Sequence, residues 1–182
     1  MILKNNIFII GAMASGKSTI GKLLSCKLNF NFIDSDEEIK KKLDMDINSI
    51  FKYNGEFFFR KEEEKILEEI VIKNNIVLST GGGVIDSDKN INLLVNNGII
   101  IYLKVSIENQ LLRIKNNKDR PILSNNKLNN YNILYEKNKI RNNLYNKISN
   151  IIVDTNEFDI NIIIEKILIS LKEFNFFIKK FS

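Results

Sequence analysis

"GAMASGKST", residues 11–19, contains the pattern G-x-x-x-x-G-K-[ST] in full, directly behind the apolar run "IFII" at 7–10 and ahead of the helix-like "TIGKLLSCKL" at 19–28. Strand, glycine loop and helix in that order are the context in which this pattern cradles the phosphates of a nucleoside triphosphate. The physics is direct. Loop N–H groups and the positive end of the helix surround the β-phosphate, Lys17 reaches the β- and γ-phosphates, and the Ser18 hydroxyl ligates Mg²⁺. Such a loop specifies a nucleotide but not a reaction.

Working outward, apolar β-rich runs recur at "NFI" (31–33), "IVLS" (76–79), "IIIYL" (99–103) and "NIIV" (150–153), with helix-like segments between most of them. That rhythm predicts an α/β fold of three layers, a parallel sheet of about five strands covered by helices on both faces. Residues 57–74, "FFFRKEEEKILEEIVIKN", carry apolar residues at helical spacing and predict a long amphipathic helix behind the breaker "YNGE". Residues 116–130, "NNKDRPILSNNKLNN", are polar and hold the only proline. They read as a mobile lid, or as an ordinary surface loop. Neither repeat nor linker divides the chain, so one domain over 1–182 is expected, with a loosely packed tail "FNFFIKKFS".

At 182 residues with 44% hydrophobic composition the chain can bury a core without approaching membrane composition. No apolar run is long enough for a membrane span, and "MILKNNIFII" runs into the glycine loop rather than a cleavage site. The single cysteine, Cys26, is expected on the buried side of the first helix and leaves no intrachain disulfide, which suits a reducing, cytoplasmic setting. The net charge of +5 is spread among asparagines and glutamates, pointing to an anionic small molecule rather than nucleic acid or membrane. Histidine is absent, which excludes Ser-His and Cys-His catalysis and argues against a zinc enzyme. Acid–base work falls to carboxylates, lysine or tyrosine.

Three features then carry chemistry. "VLSTGGGVI", residues 77–85, sets three glycines behind a strand in a chain with only 8 glycines. Either the backbone turns there, or something presses against it where a Cβ would collide. "FIDSDEEI" places Asp34 and Asp36 where the second strand runs out, at the edge where open α/β folds bind ligands. One can serve as base and the other assist Mg²⁺; an N-cap for the following helix is the alternative, and Asp36 could do both. The four arginines, Arg60, Arg113, Arg120 and Arg141, stand out in a chain where lysine is the default cation. Arg60 in "GEFFFRKEEE" could grip a carboxylate with its planar fork or pair with Glu63 or Glu64. Arg113 reads most readily as a surface residue.

These pieces, in this order, resemble the shikimate kinase family over nearly the whole chain: "GAMASGKST", "DSD", "GEFFFRKEE", "LSTGGGV", "RPIL" and "RNNLY". The resemblance implies a P-loop kinase fold with a lid at about 116–130 and transfer of the ATP γ-phosphoryl group to the 3-hydroxyl of shikimate, in aromatic amino-acid biosynthesis. It implies Ala14, Ser15, Gly16, Lys17, Ser18, Thr19, Arg113 and Arg120 around ATP, with Arg113 against the adenine. Gly81, Gly82 and Gly83 would lie under the substrate, Arg60 and Arg141 would hold its carboxylate, and Asp36 would bind the reacting hydroxyl as base. Lys17, Asp36 and the lid arginine Arg120 would be catalytic, and Ser18 and Asp34 would serve Mg²⁺ with Ser79 in support. A monomer is expected. The chain departs from the family in "AMAS", in the missing proline of "RNNLY", and in "VDTNEF", which offers no basic residue to the adenine side.

Overall fold

A computed structural model describes residues 5–115, 127–156 and 159–174. Five parallel strands, β1 (Ile7–Ile10), β2 (Asn31–Asp34), β3 (Ile76–Ser79), β4 (Ile99–Lys104) and β5 (Ile151–Asp154), lie in the order β2-β3-β1-β4-β5. The helices are α1 (Lys17–Leu28), α2 (Ser35–Leu43), α3 (Ile47–Tyr53), α4 (Gly55–Val71), α5 (Asp88–Asn97), α6 (Ile107–Lys115), α7 (Lys127–Ile148) and α8 (Ile160–Glu173), with a 3₁₀ turn at Val84–Asp86.

The layering follows from β1, whose four residues are all buried. Side chains alternate across a strand. Ile7 and Ile9 pack with Ile20 and Leu24 of α1 and Ile163 and Ile167 of α8, whereas Phe8 and Ile10 join Ile39, Phe59, Leu67, Leu94 and Tyr145 on the opposite face. Each such side chain taken from water stabilises the fold by roughly 1.5–3 kcal/mol, which is why a strand apolar on both faces becomes the centre of the sheet. Asn6, fully buried beneath β1, donates to Lys73 O at 2.8 Å and Asn97 O at 3.3 Å and pins the amino-terminal end.

The carboxyl end is built differently. The connection from β1 leads across β3 to β2, while that from β3 crosses β1 to β4, so the chain diverges between neighbouring strands and opens a crevice there. The phosphate loop, the acidic pair and the glycine run follow β1, β2 and β3 and meet in it.

The expected five-strand parallel sheet is present, and three details differ from expectation. Cys26 is exposed, because the buried stripe of α1 runs through Ile20, Gly21, Leu24, Ser25 and Leu28 and turns Cys26 outward. The long helix spans Gly55–Val71 rather than 57–74; the backbone turns after Ile72 and Asn75 adopts a left-handed φ of 54° before β3. The helix after β2 begins at Ser35, so its cap is Asp34 and not Asp36: Asp34 Oδ1 accepts from Asp36 N at 3.1 Å and Glu37 N at 3.4 Å. Residues 116–126, with "RPIL" and Arg120, and residues 175–182 of the tail lie outside the described residues.

Candidate active site

The phosphate loop leaves β1 at Gly11, where φ is 145° and a Cβ would sit 2.6 Å from Leu103 O. Only glycine fits. The loop enters α1 through Gly16, and α1 has no side-chain cap and no acid in its first turn. By contrast Asp34, Asp46, Ser87 and Asp159 cap α2, α3, α5 and α8. The first N–H groups of α1 therefore remain available to an anion, reinforced by the helix dipole. Lys17 bends back over the loop, its Nζ donating to Gly11 O at 3.0 Å and Ala12 O at 2.9 Å. Ala14 carries a left-handed φ of 58°, a conformation that glycine adopts at lower cost.

Beside Lys17, Ser18 Oγ donates to Asp34 Oδ2 at 2.6 Å and lies 3.3 Å from Ser79 Oγ. Asp34 thus divides its oxygens, one capping α2 and one facing the loop. Three hard oxygen donors at the mouth of a phosphate loop suit Mg²⁺, which takes few protein ligands and completes its octahedron with water and phosphate. Among the described residues no cluster of three or more acidic, histidine or cysteine side chains forms a denser metal site.

Arg113, read as a surface residue, instead bridges two loops. It donates to Ala14 O at 3.1 Å and to Thr155 O, joining the end of α6 to the phosphate loop and to the chain after β5. A cavity of about 210 Å³ opens there, lined by Ser15, Gly16, Thr19, Arg113, Thr155 and Ile160 among others.

On the other side of the loop lies the glycine run. None of Gly81, Gly82 and Gly83 has a positive φ, so conformational freedom is not what it supplies. Space is. A Cβ at Gly81 would meet Asp36 Oδ1 and Glu63 Oε1, each at 2.8 Å, and one at Gly83 would strike the Arg60 guanidinium, with Nη1 at 2.6 Å. Gly82 faces the phosphate loop, 3.6 Å from Gly11 O and Met13 N by the same measure. The run therefore lets carboxylates and a guanidinium close over the strand end, directly beside the donor loop.

The carboxylates and arginines form one network. Arg60 Nη1 donates to Glu63 Oε2 at 2.7 Å and Nη2 to Glu56 Oε1 at 3.1 Å, with Asp86 Oδ2 at 3.6 Å. Of the two acids named for it, Glu63 is the one Arg60 pairs with, while Glu64 accepts from Ser87 instead. Burial works against the charge of Arg60, but Glu63, Glu56 and Asp86 outweigh it and hold the guanidinium above its ordinary value. Glu63, only 1% exposed, responds the other way: lost hydration raises its carboxyl further than Arg60 lowers it, and Asp36 adds to the rise. Its Oε1 has no hydrogen-bond partner among the described residues.

Arg141, on α7, donates from Nε to Asp86 Oδ1 at 2.9 Å and from Nη2 to Asp86 Oδ2. One turn on, Tyr145 donates its hydroxyl to Gly82 O and stacks on Tyr102, ring centroids 5.0 Å apart. Burial pushes the Tyr145 hydroxyl well above its ordinary value, so it stays a donor. Asn143, which stands where the family has its proline before Leu144 and Tyr145, is an exposed residue of α7, while its neighbour Asn142 accepts from Tyr102 Oη at 3.0 Å.

The geometry therefore gathers Lys17, Ser18, Asp34, Asp36, Arg60, Gly81, Gly82, Gly83 and Arg141 around one crevice, with Arg113 at its far end. Asp86 and Tyr145 were not singled out from the sequence, and Glu63 was named only as a possible ion-pair partner of Arg60. The spacing of Arg141 and Tyr145, four residues apart on one helix face, and the acid closing "GGGVID" are the signals that could have found two of them.

A family model described as shikimate kinase matches residues 13–172. A shikimate kinase of Blochmanniella floridana is 44% identical over 171 residues, covering 92% of each chain. A solved shikimate kinase from Acinetobacter baumannii, in complex with shikimate, superposes with a TM-score of 0.87 at 36% identity, over 96% of this chain and 95% of that one. A gluconokinase from Sinorhizobium meliloti, at 15% identity and a TM-score of 0.60, shares the fold alone, over 94% of each chain. With a family model matching residues 13–172 and relatives matched over nearly the full length, the chain belongs to the shikimate kinase family.

Proposed function

We propose that this chain transfers the γ-phosphoryl group of ATP to the 3-hydroxyl of shikimate, the phosphorylation step in chorismate biosynthesis. The observation that carries this reading is the juxtaposition at Gly82: the glycine run that makes room for Asp36 and Arg60 lies so near the phosphate loop that a Cβ at Gly82 would be in van der Waals contact with it. Donor and acceptor sites share a wall.

In this reading Arg60 and Arg141 hold the substrate carboxylate, because a planar, permanently charged fork matches it in geometry and charge. Gly81, Gly82 and Gly83 floor the acceptor site, and Tyr145 fixes their backbone by holding the Gly82 carbonyl. Asp36 orients the 3-hydroxyl and accepts its proton. As the hydroxyl oxygen bonds to the γ-phosphorus, the bond to the β,γ-bridging oxygen breaks and ADP leaves with that electron pair. Phosphoryl transfer of this kind depends on position and charge neutralisation more than on a strong base. Lys17 supplies charge by exchanging the loop carbonyls for phosphate oxygens. Ala14, Ser15, Gly16, Lys17, Ser18 and Thr19 bind the phosphates, and the cavity beside Arg113 takes the adenine. Ser18 and Asp34, with Ser79, would hold Mg²⁺, which when bound neutralises phosphate charge.

The same reading gives a single domain over 1–182; of the lid expected at about 116–130, residues 127–130 belong to α7 and the rest lies outside the described residues, and Arg120 there would close over the phosphates and exclude water. It gives a monomer working in the cytoplasm. Among the described residues, no helix is long and apolar enough to cross a membrane.

The test is a coupled ADP-release assay with ATP and Mg²⁺, comparing shikimate, gluconate and no acceptor. Release that depends on shikimate is the expected result. Release with gluconate alone, or with no acceptor at the same rate, overturns the reading.

A further inference from the structure

We propose that Asp86 is an internal occupant of the acceptor-carboxylate site, and that it sets how tightly the anionic substrate binds. This rests on the reading of Arg60 and Arg141 as the carboxylate holders. The contact geometry is that of a ligand. Asp86 presents both oxygens to the Nε/Nη2 edge of Arg141, and its Oδ2 lies 3.6 Å from Arg60 Nη2. A planar carboxylate bound between the two arginines would make these same contacts.

Charge counting shows why this matters. Arg60 already faces Glu56 at 3.1 Å and Glu63 at 2.7 Å, so with Asp86 three carboxylates share two guanidiniums. An incoming carboxylate meets no surplus positive charge unless one of the three withdraws. Glu63 is 1% exposed, enclosed against Gly81, and has nowhere to go. Glu56 is 67% exposed and, among the described residues, its ion pair is with Arg60, so its departure frees nothing on Arg141. Asp86 alone is both partly exposed, at 34%, and shared between the two arginines.

Its tether points the same way. Asp86 closes the 3₁₀ turn after the glycine run, its N–H bonded to Gly83 O at 3.0 Å. Side-chain rotation alone can carry its carboxylate from the arginines to water. Substrate binding is then an exchange of one carboxylate for another, and the apparent affinity is reduced by the fraction of molecules in which Asp86 holds the arginines.

The experiment compares the parent with Asp86→Asn, which keeps shape and removes charge, and Asp86→Ala, which also removes the side-chain acceptor. KM and the equilibrium Kd for shikimate are measured in each, alone and combined with Arg141→Lys, and Kd is repeated with the neutral methyl ester. Both Asp86 variants are expected to bind shikimate roughly three- to tenfold more tightly. The effect should fall on KM rather than kcat, vanish for the ester, and shrink in the Arg141→Lys background. Unchanged or weaker shikimate binding in both variants overturns the proposal and makes Asp86 a strut that orients Arg141. If Arg141→Lys and Arg60→Lys both bind shikimate as the parent does, the carboxylate reading itself falls and the proposal with it.

Discussion

The two halves of the crevice are wired in opposite ways. On the phosphate side the loop groups come from a contiguous stretch after β1, joined by Asp34, Ser79 and Arg113, and the helix is left uncapped so that its own N–H groups provide the site. Charge there is sparse: Lys17 rests on two loop carbonyls, and Asp34 is shared between a cap and Ser18. On the acceptor side Asp36, Glu56, Arg60, Glu63, Asp86 and Arg141 arrive from α2, α4, the 3₁₀ turn and α7. They are crowded enough that glycines must make room for them. A site for a nucleotide that many enzymes share can be built from backbone, whereas discrimination of one small acid demands side chains fixed by long-range packing.

If that contrast is right, acceptor-side substitutions divide cleanly between turnover and binding. Asp36→Asn is expected to lower kcat roughly 10²- to 10⁴-fold, the range for a positioned acid–base group, with a much smaller change in shikimate KM. Steady-state kinetics checks this, and turnover within a factor of about two of the parent would remove Asp36 from proton transfer. Arg60→Lys should raise shikimate KM by about tenfold while leaving the KM for ATP near that of the parent, because one ammonium cannot reproduce the fork. A rise in both constants would erase the division between the halves.

The crowding itself can be read through pH. Burial holds Glu63 above the ordinary carboxyl value of 4.5. A carboxyl whose folded value is raised contributes stability that is complete below its unfolded value and is lost as pH rises through the folded one. Glu63→Gln cannot ionise, so its stability should improve relative to the parent as pH rises from about 4 to 8, as read from urea midpoints. Parallel curves for the two proteins would mean that the Arg60 pair offsets the burial of Glu63. The smallest effect belongs to the phosphate side. Ala14→Gly relieves a left-handed alanine and should stabilise the chain by about 0.5–1 kcal/mol in the same measurement; a loss would show that glycine's greater freedom in the unfolded chain outweighs the strain.

The contrast also explains what was legible in advance. The phosphate loop could be read residue by residue because strand, loop and helix are adjacent in the chain. Arg60 and Arg141 were recognisable through "GEFFFRKEE" and "RNNLY", but their partner was not: Asp86 lies 26 residues from one and 55 from the other. Nor could spacing reveal that Asp34 rather than Asp36 caps α2, since that turns on a helix starting two residues earlier. Arg113 looked like a surface cation because nothing near it in the chain hints at carbonyls 99 and 42 residues away.

By itself, then, the sequence determined the parallel sheet, the nucleotide loop and the family, all of which rest on local pattern: apolar periodicity, glycine spacing and a run of landmarks in order. Tertiary structure alone decided which charges meet, why the three glycines are bare, and that a carboxylate of the chain already sits between the two arginines. Those depend on the packing of α2, α4 and α7 over the carboxyl end of the sheet, where elements far apart in sequence are brought within hydrogen-bonding distance.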